Sequence, residues 1–274
     1  MQRTPQTIFL LSVLAIAMIA GAGCDKLRAR DKLNKGVQAY KGGQTDQAIE
    51  DFKEAKQYDP SLLNARLYLA TAYSAQYVPG APSEENKRNG EQAKQEFLEI
   101  LQNDPNSLPA IDGLGSIIYN MGGTPFDPTK FEESKKYHEM HIAQKPDDPE
   151  PYYWVGVIDW SLAFRGNREM REDYNKTAKK PIRETDPMPP ALATAFQQKY
   201  GPIVDEGITN LKTAMDKRPD YDDAMAYLNL LYRQKADMDT TPEARDADIK
   251  NADDLVDKVK AIKQRKMQAP SPTS

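Results

Sequence analysis

The residues of this chain with the most chemistry at hand are two histidines, one cysteine and several runs of carboxylates. His138 and His141 stand three apart in "YHEMHIAQ", so on a helix they could face one metal ion. A zinc site needs more. The His-Glu-x-x-His spacing is absent, no third histidine exists, and Cys24 lies far away in the sequence. Both histidines are therefore predicted to pack. Nucleophilic catalysis needs a nucleophile with a positioned base, and no Gly-x-Ser-x-Gly elbow is present. The carboxylates of "PDDPEP" and "PDYDDA" follow prolines, where acidic residues start helices and favour the positive end of the dipole. "YKGGQ" and "YNMGG" carry paired glycines without a phosphate-loop spacing, and read as turns. These residues predict no enzyme, no cofactor and no metal site. The net charge of −4 argues against a nucleic-acid binder.

One stretch has binding rather than catalytic chemistry. "PYYWVGVIDW" holds both tryptophans of the protein. On a helix, Tyr153, Val157 and Trp160 share one face. Aromatic residues are enriched at binding hot spots and in cores alike, so two readings stand: a recognition surface, or packing under the segment that begins at Phe164.

The lone cysteine sits behind an apolar run, "IFLLSVLAIAMIAGAG", that is short for a membrane span and follows a weakly positive start. That is the pattern of a secretory signal. The segment resembles a bacterial lipoprotein signal, with Ala22, Gly23 and Cys24 in place and Gly21 where leucine is usual. The resemblance implies cleavage before Cys24 and lipid on its sulfur and amine. It further implies an exported, membrane-anchored protein of the cell envelope facing the periplasm. Asp25 leans toward the inner membrane, and the choice between inner and outer membrane stays open.

The elements that carry these residues come from a repeated pattern. In "GVQAYKGGQTDQAIEDFKEAKQYDP", Ala48, Phe52 and Ala55 fall at helical spacing, Gly42 and Gly43 break the preceding helix, and Pro60 closes the second. The frame returns with Ala93, Phe97, Ile100 and Pro105, then with Ser134, His138, His141 and Pro146, then with Gly207, Leu211, Ala214 and Pro219. A fifth copy opens at "DDAMAYLNLLYRQ" and ends in a long helix with Ala252, Val256 and Val259 in register. This resembles the tetratricopeptide repeat (TPR), a helix–turn–helix unit of about 34 residues. The closing prolines stand 45, 41 and 73 residues apart. The excess over the repeat length is about 11, 7 and 39 residues, which surface loops between helices can absorb.

The predicted fold is all-α: a TPR-type α-solenoid of about five helix–turn–helix repeats with insertions between helices and a C-terminal capping helix. The predicted segments are a signal peptide (1–23), a lipidated tether (24–28), the repeat domain (29–266) with its large insertion (164–200), and a disordered tail (267–274). In the insertion, Pro187 to Pro190 reads as loop and "ALATAFQQKY" as a short added helix. The resemblance also implies a groove, lined by the first helix of each repeat, that receives a protein or peptide segment. The positions carried over are Asn64, Leu67, Thr71 and Ser74; Asp112, Ser116, Tyr119 and Asn120; Tyr153, Val157 and Trp160; and Ala226, Leu230 and Arg233. The implied function is a membrane-anchored scaffold for protein–protein interactions, with a protein or peptide of unknown identity as partner. The alternative is a periplasmic module that binds a small molecule or glycan under the 164–200 insertion.

Overall fold

In the computed structural model, residues 24–268 are described, and each predicted closing proline follows the end of a helix. The first helix, α1, spans residues 24–41. It is followed by α2 (Thr45–Tyr58), α3 (Leu63–Gln76), α4 (Glu84–Asn103), α5 (Leu108–Gly122), α6 (Pro128–Gln144), α7 (Pro149–Thr177), α8 (Pro190–Lys217), α9 (Asp222–Ala236) and α10 (Pro242–Gln268). The fold is all-α, of the TPR type. The expected signal segment 1–23 lies outside the described residues, as does 269–274. Residues 24–28, expected as a tether, form the first turn of α1, and 267–268 end α10 rather than opening the tail. No helix among the described residues is long and apolar enough to cross a membrane.

The chain divides into two compact units with the boundary at Pro125. In the first, α2 packs on α3, α3 on α4 and α4 on α5. The expected stripe is buried: Ala48, Phe52, Ala55 and Ala93 have no exposed surface, and Phe97 and Ile100 almost none. The α1–α2 crossing is close because Gly36 has no side chain; a Cβ there would lie 2.5 Å from the Phe52 ring. Gly43 makes the turn with φ of 75°, a conformation that suits glycine. The first insertion is a short loop, held by Asn86, whose amide bonds Val78 N–H and the carbonyls of Val78 and Ala81.

Lys56 carries a correction. Its repeat position suggests an exposed side chain, yet it is half-buried and paired with Glu96, which also binds Arg66. A control for overpacking must therefore stand elsewhere. Ala48→Leu and Ala93→Leu should each cost about 1–3 kcal/mol by crowding a helix crossing. Exposed Gln92→Leu should change stability by less than about 0.5 kcal/mol. Thermal melts of the three variants check the frame, and equal midpoints would refute it.

In the second unit, α6 packs on α7, α7 on α8, α8 on α9 and α9 on α10. Leu211 of α8 lies over Gly156 of α7, where a Cβ would approach it to 2.4 Å. The large insertion differs from expectation. It is an elongated hairpin, with α7 running on to Thr177 and α8 starting at Pro190. "ALATAFQQKY" is the beginning of α8, not a separate helix. The physical reason is that the added turns bury their own stripe: Ala163, Ala193 and Phe196 are fully buried, and Tyr200 lies over Gly166. Pro202 sits inside α8 on its exposed side, where the carbonyl it leaves without a donor can face water. Thr241 caps the start of the last helix, with Ala244 N–H donating to Thr241 Oγ1. Its inner stripe is Ala252, Leu255 and Ile262, with Val256 and Val259 half-buried.

Candidate functional site

The two histidines are core residues. His138 is 2% exposed and stacks on Trp154 at 5.7 Å between ring centroids. Burial pushes its imidazole down to about 4. Its contribution to stability is thus present above the ordinary value near 6.5 and lost as pH falls toward 4. His141 is buried, with Nε2 3.5 Å from Asp148.

Of the residues expected to face a partner, Leu67, Thr71, Ser74, Ser116 and Asn120 line a cavity in the first unit and Trp160, Leu230 and Arg233 one in the second, while Asn64, Asp112, Tyr119, Tyr153, Val157 and Ala226 line neither. In the first unit, Thr71, Ser116 and Asn120 line a space of about 390 Å³ with Leu67, Tyr68 and Ile117. These residues come from α3 and α5, the first helices of their repeats. The lining is less polar than its residue types imply. Thr71 Oγ1 and Ser74 Oγ donate to the carbonyls of Leu67 and Ala70 on their own helix. Asn64 is exposed on the first turn of α3, while Asp112 and Tyr119 are half-buried on α5.

In the second unit, Trp160 and Arg233 line a cavity of about 480 Å³. Its walls come from α7 (Trp160, Phe164, Asn167), the 178–189 loop, α9 (Leu230, Arg233, Gln234) with its C-cap Asp237, and the start of α10 (Arg245, Ile249). Trp160 stacks on Phe164 at 5.1 Å and meets Tyr227 edge-on. Tyr153 is half-buried against Tyr221, Tyr227 and Trp154, about two turns toward the start of α7. Val157 is a correction: it is 1% exposed, so it belongs to the core and presents no surface. Ala226 is half-buried on α9.

Sequence reasoning missed the residue that organises this cavity. Arg171 is buried on the elongated part of α7. Its Nε donates to Asn167 Oδ1 at 2.8 Å, Nη1 donates to the carbonyls of Arg183 and Asp186, and Nη2 lies 2.8 Å from Asp237 Oδ2. Asn167 donates to the same Asp237 oxygen. The guanidinium fork thus ties α7 to the 178–189 loop and to the end of α9. Asn175 holds the loop a second time through paired bonds to Ile182. Arg183 in turn holds the Asp186 carboxyl well below its ordinary range. The signal was present: Asn167, Met170 and Arg171 continue the helical register of Ala163, which a loop assignment conceals.

A second buried polar group lies deeper. Lys135 Nζ bridges Asp159 and Glu206, each at 2.8 Å. Asp159 has no exposed surface, and its Oδ2 has no hydrogen-bond partner. Burial pushes this carboxyl up, and Lys135 offsets part of the rise.

Sequence comparison finds no matching family model and no matching curated protein. Solved structures do match. A crystal structure of MamA protein aligns over 90% of this chain and 98% of its own, with a TM-score of 0.58 and 15% identity. MamA from Desulfovibrio magneticus RS-1, residues 41 to the end, aligns over 88% and 98%, with a TM-score of 0.57 and 15% identity. YrrB, described as a TPR protein with an unusual peptide-binding site, aligns over 86% and 87%, with a TM-score of 0.52 and 15% identity. At such identity the likeness is one of fold: this chain has the all-α, TPR-type helical repeat architecture.

Proposed function

We propose that this protein is a non-enzymatic scaffold of the bacterial envelope that captures a protein or peptide segment along the first helices of its repeats, held at a membrane by lipid on Cys24. The observation that carries the docking reading is that each unit has a cavity on its first helices, lined by residues the repeat frame selects. The anchoring reading rests on the apolar run ending in small residues before a lone cysteine. Cys24 is exposed at the start of α1, where an attached lipid would meet no steric obstacle from the fold.

Two experiments test the two halves. Wild-type protein should partition with membranes, and Cys24→Ser should move to the soluble periplasmic fraction, because several acyl chains give firm attachment. Unchanged partitioning, with no lipid mass on the mature N-terminus, refutes the anchor. For docking, Tyr119, Tyr153 and Trp160 are the aromatic anchors. Trp160→Ala should weaken capture of the membrane-copurifying partner by over tenfold, as expected for losing about 2 kcal/mol at a hot spot. Circular dichroism should still report a folded helical chain. Full capture by the folded variant would move the docking surface off the second unit.

A further inference from the structure

We infer that the segment captured by the second unit carries an acidic side chain, read by Arg245 where the cavity meets α10. The inference rests on the docking reading and names the chemistry of its partner. Arg245 stands on the first turn of α10 and lines the cavity with Trp160, Phe164, Leu230 and Ile249. It is half-buried, and its guanidinium makes no ion pair, hydrogen bond or ring contact. Asp239 feels its charge but does not pair with it. The Nε of Arg245 is closed off, while both terminal nitrogens keep accessible surface. A partly desolvated guanidinium without an acceptor is a costly state. A carboxylate that meets its fork with two parallel hydrogen bonds relieves that cost.

The other charges of the wall are accounted for. Asp237 is paired with Arg171, and Arg233 with Asp253. Glu184 makes no ion pair, but it stands exposed on the 178–189 loop, where water solvates it and a partner would add little. Of the charges lining this cavity, Arg245 is thus the unpaired one that burial penalises, and its sign calls for an anion. The apolar part of the wall adds the second requirement. Trp160 and Phe164, stacked at 5.1 Å, together with Leu230 and Ile249, suit a bulky apolar side chain beside the acid. The volume of about 480 Å³ admits side chains of a segment and not a folded domain. The anion is a side chain rather than a chain end, because the docking reading runs the segment along the first helices and past the cavity.

The test titrates ¹⁵N-labelled protein with the blocked peptide acetyl-Leu-Glu-Leu-Phe-amide. Its comparators replace Glu by Gln, replace Glu by Lys, or carry Gln with a free C-terminal carboxylate. The indole N–H resonance of Trp160 should shift with the Glu peptide, while that of Trp154, which does not line the cavity, stays in place. The Glu peptide should bind about tenfold more tightly than the Gln peptide, the worth of a charge-assisted hydrogen bond. Arg245→Gln, confirmed folded by circular dichroism, should bring the two peptides within about twofold of each other. Arg245→Lys should recover part of the preference, and Glu184→Gln should keep all of it. Equal binding of the Glu and Gln peptides at Trp160 overturns this inference and leaves the docking reading standing. Preference for the Lys peptide overturns it in favour of Glu184 as the reader, and preference for the free carboxylate in favour of a chain end. Absence of any Trp160 shift at millimolar peptide also overturns it, while capture of the copurifying partner by Trp160→Ala decides the docking reading separately.

Discussion

Lys135→Met should lower the stability of the second unit by about 3–5 kcal/mol at pH 7, the cost of removing one partner from a buried ion pair. The change leaves Asp159, which has no exposed surface, without the ammonium that lies 2.8 Å from it. Glu206, the other partner of Lys135, is half-exposed and can turn to water. The deficit should depend on pH with a definite sign. A carboxyl raised by burial contributes most below its ordinary value near 4, and that contribution is lost as pH rises through the raised value. Without Lys135 the rise is larger, so the variant's deficit should shrink as pH is lowered from 7 toward 4.5. His138 titrates in the opposite sense in both proteins and cancels in the difference. Lys135→Met combined with Asp159→Leu should recover most of the loss, since an apolar pair needs no partner. Denaturant melts at two pH values check this, and a deficit unchanged by pH would show that Asp159 is not the group left stranded.

Arg171→Leu should release the 178–189 loop. The guanidinium satisfies two loop carbonyls and pairs with Asp237, to which Asn167 adds only a neutral amide bond. The expected loss is about 3–5 kcal/mol, again because a buried charge is left unpaired. The local readout is limited tryptic proteolysis after Lys179 and Arg183, which should accelerate by roughly an order of magnitude as the loop opens more often. Arg171→Lys should behave nearly as badly, because an ammonium lacks the planar fork that reaches three groups at once. Cleavage at the wild-type rate in both variants would mean that Asn175 alone holds the loop.

The repeated small–aromatic–small stripe and the closing prolines were enough to place the helix pairs, because a helix periodicity and a residue that cannot continue a helix act locally. Ala48, Phe52, Ala93, Phe97 and Leu211 are buried as that frame requires. So is His138, where position in the frame outweighed the polar type of the residue. The end of α7 was not legible. Turns beyond Phe164 depart from the repeat length, and only α8 packed alongside shows that Ala163, Gly166 and Phe196 form one stripe.

The candidate site divides in the same way. Thr71, Ser116, Asn120, Trp160 and Arg233 follow from repeat positions and do line cavities. Val157 follows from the same rule and is buried, because one helix face of α7 must serve both the core and the surface. The sequence by itself determined the helical repeat fold, since its pattern is carried by neighbours within each pair of helices. The tertiary structure alone decided that Arg171 meets Asp237, that Lys135 meets Asp159, and that Trp160, Gln234 and Arg245 converge on one cavity. These partners lie 66, 24 and up to 85 residues apart, and no local periodicity encodes which distant side chain will satisfy a buried charge.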